Sequence, residues 1–204
     1  MKLLGNPLLR LALLALALIP CALPGIAQAP ATPPTAIDAA LLAKANAGDA
    51  AAEVKAADAY AAGSGAPRDA RQLAADYKQA AFWYGKAAAQ GNTAAQIHLA
   101  DLYRDGRGVA RDMAQAAAWY RKAAELGDAG AQGTLGILYS VGMGVPHDDV
   151  EAYFWLDLAA GAPGPSQARF MTNRQSVGEH ITTDQQSQVE DRVAAWKAAH
   201  PHTN

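Results

Sequence analysis

Residues 95–124 read AQIHLADLYRDGRGVARDMAQAAAWYRKAA, and residues 131–160 read AQGTLGILYSVGMGVPHDDVEAYFWLDLAA. Laid over one another at an offset of 36, they match Tyr103 with Tyr139, Gly106 with Gly142, Gly108 with Gly144, Val109 with Val145, Asp112 with Asp148 and Trp119 with Trp155. Trp83 lies a further 36 residues back, and the alanine pairs Ala87–Ala88, Ala123–Ala124 and Ala159–Ala160 keep the same register. Helix propensity alone does not align so many positions at one offset. A fixed period of about 20 to 50 residues marks a solenoid of stacked supersecondary units. An earlier, looser copy sets Tyr60, Gly63, Gly65, Arg68 and Asp69 against Tyr103, Gly106, Gly108, Arg111 and Asp112 at an offset of 43. Its seven extra residues fall between Asp69 and Trp83, which predicts a second helix about two turns longer in that copy.

Each period carries two helical patterns. Ala95, Leu99, Leu102 and Tyr103 share one helical face, as do Ala131, Leu135, Leu138 and Tyr139, whereas Ala116, Trp119, Tyr120, Ala123 and Ala124 form the apolar face of the second helix. Asn92 and Asp128 stand where first helices begin, and Asp69, Asp112 and Asp148 where second helices begin. Asp112 with Gln115, and Asp148 with Glu151, have capping-box spacing. Gly106 and Gly142 are placed to close the first helix in the left-handed conformation, after which Val109 and Val145 tuck under the hairpin. After Ala162 the period fails at Pro163-Gly164-Pro165. Helices at about Ser166–Ile181 and Thr183–His200 then cover the final hairpin, with Val189, Val193 and Trp196 on the covering face and Thr183 with Gln186 as its cap.

These residues resemble the Sel-one-like repeat family, a relative of the tetratricopeptide repeats. The family pattern A-x-x-x-L-G-x-L-Y-x-x-G-x-G-V, a spacer, D, then A-x-x-W-Y-x-K-A-A is legible from Ala95 to Ala124 and from Ala131 to Ala160. It departs at Ala100, which replaces a glycine, and at Phe154-Trp155-Leu156-Asp157, which replaces the W-Y-x-K region. The expected fold is all-α: a right-handed α-solenoid of helix-turn-helix repeats with atypical capping helices. The expected division is a secretory signal at 1–27, a proline-rich linker at 28–35, an N-terminal capping helix at 36–47 that starts near Thr35 and Asp38, repeats at 48–91, 92–127 and 128–162, and capping helices with a tail at 163–204.

Composition agrees with close helix packing. Alanine makes up 51 of the 204 residues, and it combines the best helix propensity with the smallest chiral side chain. Seventeen basic against nineteen acidic residues leave no positive excess to attract nucleic acid or an anionic membrane. Lys2 and Arg10 flank or enter a leader whose apolar run, Leu11–Ile19, is far short of the roughly 20 residues a membrane span needs. Small residues at Gly25 and Ala27 fit cleavage after Ala27, the alternative being a retained amphipathic or membrane anchor. Pro20 before Cys21 does not fit lipidation, and loss of Cys21 leaves the mature chain without a disulfide. The expected location is periplasmic or secreted.

Chemical motifs are sparse. The Gly106-x-Gly108 and Gly142-x-Gly144 turns follow no strand, and Arg111 and His147 stand where a dinucleotide loop has its third glycine. None of Ser64, Ser140, Ser166, Ser176 or Ser187 has a lysine three positions on, and His98, His147, His180, His200 and His202 form no H-E-x-x-H motif. No catalytic residue, cofactor or metal is assigned. The recurring tryptophans read as packing residues.

The resemblance to tetratricopeptide-like solenoids implies a concave face lined by first helices. Projection from Leu99 and Tyr103 puts Ile97, Asp101, Arg104 and Asp105 on that face, then Gly133, Ile137, Ser140 and Val141 one period on, and Val54, Asp58, Ala61 and Ala62 in the first copy. The expected function is a non-catalytic scaffold or adaptor binding a protein or peptide there. A cell-envelope enzyme or binder acting on peptidoglycan or β-lactam-like ligands is the alternative, although family members described in that role carry a disulfide in each repeat. A structural module of an export or secretion assembly is a third.

Overall fold

The computed structural model describes residues 37–62 and 69–201. The expected signal and linker, Cys21, Gly63, Gly65, Arg68 and His202 lie outside the described residues. Among those described, nine helices and no strand are present: α1 Ala39–Asn46, α2 Ala50–Ala62, α3 Ala70–Ala89, α4 Thr93–Asp105, α5 Met113–Glu125, α6 Ala129–Val141, α7 Asp149–Gly161, α8 Gln167–Gly178 and α9 Thr183–Ala199. The chain is an all-α solenoid. Hairpins α2–α3, α4–α5 and α6–α7 stack through α3 on α4 and α5 on α6, with α1 against α2 at one end and α8 and α9 both leaning on α7 at the other.

The helix boundaries follow the side-chain chemistry. Orphan amides at the helix starts are taken up by the carboxylates or amide oxygens of Asp38, Asp69, Asn92, Asp112, Asp128 and Asp148. Helix α3 runs for 20 residues against 13 in α5 and α7, so the first hairpin does carry two additional turns. Gly106 (φ 69°) and Gly142 (φ 67°) end α4 and α6 in the left-handed region, and Val109 and Val145 pack half-buried against the core.

The core runs continuously through the hairpins. Trp83, Trp119 and Trp155 are buried at corresponding positions, as are Ala87, Ala123 and Ala159 and, on first helices, Ala95 and Ala131. Lys86 and Lys122 lay their ammonium groups 4.8 and 3.9 Å from the Trp83 and Trp119 ring centroids, a cation–π contact that Leu158 cannot repeat over Trp155. Trp196 of α9 packs half-buried against the same core, with His200 stacked on it at 4.2 Å.

Three expectations need correction. The cap of α9 is Thr182 with Gln185, a complete capping box, because Thr182 holds the extended backbone of a cap (φ −74°, ψ 159°) while Thr183 is already helical. Gln186 instead donates to the Gly178 carbonyl. The capping-box spacings at Asp112 and Asp148 deliver their forward halves, while Glu151 turns its carboxylate to Arg192 of α9 at 2.7 Å. Gly133 does not face an open groove. It is buried, and a Cβ there would stand 2.2 Å from the Phe170 ring of α8.

Gly108 and Gly144 have a purpose beyond the turn. A Cβ on Gly108 would meet the Tyr77 carbonyl carbon at 2.2 Å, and one on Gly144 would meet the Met113 carbonyl oxygen at 2.1 Å. Each glycine therefore lets its turn touch the backbone of the preceding hairpin's second helix, at φ values of 73° and 76° that other residues adopt only with strain. Gly144→Ala is expected to destabilise the protein by about 2–4 kcal/mol, the sum of overpacking and left-handed strain, read as a lower denaturant midpoint with native helix content retained.

Candidate functional site

The expected binding residues occupy α2, α4 and α6, and they divide sharply by repeat. Val54, Ile97 and Ile137 are half-buried and pack against the core, which leaves only part of each side chain on the outer face. Asp58 and Asp105 are exposed, and Asp101 and Arg104 are partly so. Ser140 turns its hydroxyl back to the Ile137 carbonyl at 2.9 Å, while Val141 is 57% exposed.

On α4 the acids do not form a bare pair of like charges. The Tyr120 hydroxyl of α5 donates to Asp101, and the Arg104 guanidinium donates to the Tyr120 oxygen at 2.7 Å while pairing with Asp101 at 2.7 Å. Arg104 Nε also donates to Asp105 at 2.9 Å, and Arg107 holds the other Asp105 oxygen. Arg107 completes the chain by donating to the Tyr77 hydroxyl of α3 at 3.3 Å, its guanidinium 5.2 Å from that ring's centroid. Hydrogen bonds from Arg104, then Arg107, hold the Asp105 carboxyl below the usual carboxylate range.

The first repeat has a related pair. Tyr84 of α3 donates to Asp58 of α2 at 2.6 Å, and its ring stacks on His98 of α4 with centroids 4.9 Å apart. Asp58 and Tyr84 occupy the repeat positions of Asp101 and Tyr120. One period further on, both partners change together, to Ile137 and Leu156. There Ile137 and Val141 stand beside Ser140, and α8 closes on them: Ile137, Val141 and Val177 share a cavity of about 260 Å3 with Ser140, Asp149, Asn173, Ser176 and His180. The face thus passes from carboxylates at α2 and α4 to uncharged, mainly apolar side chains at α6.

The sequence placed Tyr120 in the packing pattern of the second helix and did not single out Tyr77, Tyr84, His98 or Arg107 for this face. The signal was present in the joint appearance of Asp58 with Tyr84 and Asp101 with Tyr120. Among the described residues, no group of three or more histidines, cysteines, aspartates or glutamates is placed to hold a metal ion. No described helix is long and apolar enough to cross a membrane.

Burial foremost, and the neighbouring carboxylates after it, push the hydroxyls of Tyr84 and Tyr120 far above the ordinary tyrosine value. Burial also raises Tyr60 and Tyr103. Since these folded values exceed the unfolded value of about 10, stability is intact below that pH and falls above it, where only the unfolded chain releases the protons. Unfolding by denaturant across pH values from about 9 to 11.5 should lose up to about 1.4 kcal/mol per pH unit for each of Tyr84 and Tyr120, and Tyr84→Phe or Tyr120→Phe should flatten the slope.

The Sel1 repeat model matches the sequence three times, at residues 50–92, 93–128 and 130–162. A Sel1 repeat protein from Oxalobacter formigenes has a solved structure 31% identical over 67% of this chain and 96% of its own, with a TM-score of 0.55. The structure of c5321, described as a protective antigen present in uropathogenic Escherichia coli strains displaying an SLR fold, is 28% identical over 78% of this chain, with a TM-score of 0.54. The present chain covers 40% of that protein's length. None of the curated proteins compared with the sequence matches it. With three consecutive matches spanning more than half of its length and two solved relatives of the same architecture, the chain belongs to the Sel1 repeat family.

Proposed function

We propose that this protein is a non-catalytic scaffold or adaptor of the periplasm or the extracellular space, binding a protein or peptide partner on the concave face formed by α2, α4 and α6. The observation that carries the reading is the polar network on α4. Asp101, Arg104, Asp105 and Arg107 are held in place by Tyr120 and Tyr77 of two different second helices, yet keep part of their surface in solvent. Long side chains fixed in advance lose less entropy when a partner binds, which is how a rigid face gains affinity. Beyond α4 the apolar stretch at Ile137 and Val141 offers buried area to the same partner, so one extended segment or helix meets both kinds of contact. The leader-like N-terminus supports export.

Capture of partners from a cell-envelope extract tests the site. A triple variant, Asp101→Lys, Arg104→Glu and Asp105→Lys, is expected to lose most of the wild-type partner set with unchanged helix content, since reversed charges at a contact cost affinity through unpaired burial and repulsion. An identical partner set overturns the assignment of this face. Protein recovered from the envelope should begin near Gln28; an intact Met1 there overturns cleavage in favour of a retained anchor, and recovery from the cytosolic fraction alone overturns export.

A further inference from the structure

A cavity of about 320 Å3 opens between α2 and α4 above α3, lined by Asp58, Ala61, Tyr77, Tyr84, His98 and Arg107 among others. Its size is at the small end of ligand pockets, which run from about 300 to 1,000 Å3, and suits a single long side chain better than a whole small molecule.

The repeats themselves indicate which side chain. In the second repeat the Asp101–Tyr120 pair is completed by Arg104, whose guanidinium reaches both oxygens. In the first repeat the Asp58–Tyr84 pair is kept, but the residue in the register of Arg104 is Ala61, which forms part of the cavity wall. Among the described residues, the Asp58 carboxylate is bonded by the Tyr84 hydroxyl and is paired with no cation. Tyr77 and Arg107, which also line the cavity, show the same chemistry already in use: Tyr77 and Asp105 together hold the guanidinium of Arg107. Twice on this face, then, a tyrosine and an aspartate share an arginine, Arg107 between Tyr77 and Asp105, and Arg104 between Tyr120 and Asp101. Arg104 has Asp105 as a further partner, in whose register the first repeat has Ala62. The third combination, Asp58 with Tyr84, looks into the cavity.

We propose that Asp58 and Tyr84 receive an arginine side chain of the protein partner, which enters where Ala61 leaves the space that Arg104 fills in the next repeat. This rests on the concave-face reading above. A guanidinium is favoured over an ammonium because its planar fork can bond the carboxylate and the phenol oxygen together and stack on the Tyr84 and His98 rings, and because it sheds water more readily.

The test is a titration of acetyl-arginine amide into 15N-labelled full-length protein, followed by amide chemical shifts. Saturable shifts are expected at Ala61, Tyr84 and His98 with a dissociation constant of about a millimolar, as befits so small a ligand. The citrulline analogue, equal in shape but uncharged, should bind roughly tenfold more weakly, as should arginine amide to Asp58→Asn. Ala61→Arg places the guanidinium in cis and should abolish binding. Arginine is a good helix former, and if that variant fails to fold, Ala61→Leu fills the same space without the charge. No shifts at these residues, equal binding of citrulline, or undiminished binding to the filled variant each overturn the proposal. In the envelope capture, partners that survive Ala61→Arg but are lost on reversing Asp101, Arg104 and Asp105 overturn the arginine receptor while leaving the scaffold reading intact. Partners that survive both overturn both.

Discussion

The contact on which the stacking depends is a glycine pressed against the backbone of the hairpin before it. Gly108 sits on the Tyr77–Lys78 peptide of α3 and Gly144 on the Met113–Ala114 peptide of α5, both nearer than any side chain permits. That closeness sets the spacing of successive repeats and so determines which side chains reach one another across them. Arg107 directly precedes Gly108, and Tyr77 supplies the peptide that Gly108 touches. The guanidinium-on-ring contact between Arg107 and Tyr77 is therefore fixed by the same approach that stacks the hairpins. Packing and the candidate site are set together.

Much of the fold was legible because it is local and repeated. A cap needs only a short polar side chain ahead of a helical face, so Asp69, Asn92, Asp112, Asp128 and Asp148 could be placed from spacing alone, and the seven-residue excess became two turns of α3. What escaped the sequence depends on contacts without a period. Phe170 reaches back to Gly133 because α8 folds over the end of the array, and nothing in the residues after Pro163 states that direction. The tyrosines were half legible. Tyr120 has a buried ring and so read as core, and Tyr84, one period earlier, was not singled out; a phenol carries its polar atom at the far end, and here that end emerges at the face of the first helices. Adjacent threonines at 182 and 183 differ as caps only by backbone conformation, which spacing does not resolve.

The differences among the repeats are as informative as the likenesses, because most occur as matched pairs. Gln96 and Gln132 are buried and donate to the Ala88 and Ala124 carbonyls of the preceding helix. Glu53 takes that position in the first repeat and cannot donate when ionised. Lys86 supplies the missing donor: its ammonium bonds the Ala45 carbonyl and lies 3.0 Å from Glu53 Oε1, close enough for an ion pair though not aligned for a hydrogen bond. The Gln90 amide donates to the other Glu53 oxygen. A charged residue occupies the buried site beside groups that satisfy it, Lys86 being shared with the next repeat as Lys122 while Gln90 is peculiar to the first, as the cost of an uncompensated buried charge requires.

Asp101–Tyr120 and Ile137–Leu156 follow the same logic in the other direction, one polar couple being exchanged whole for an apolar one. Changing either member alone would set a carboxylate against a leucine or leave a phenol facing an isoleucine, with a polar group losing its partner as it is desolvated. Arg104 belongs with its couple too, since Ser140 stands in its register where the couple has gone and the Ser140 hydroxyl turns back to its own helix. Arg104 and the Asp105 it bonds are likewise exchanged together, for Ala61 and Ala62, but this exchange differs from the others in leaving the Asp58–Tyr84 couple in place. The aspartate and the tyrosine that hold an arginine in the neighbouring repeat are both retained in the first one, hydrogen-bonded in the same way, while the arginine's own position has become small and opens a cavity. Structural upkeep of the solenoid explains why couples change whole, and it leaves a couple kept beside an emptied arginine position to be explained by what meets the face from outside.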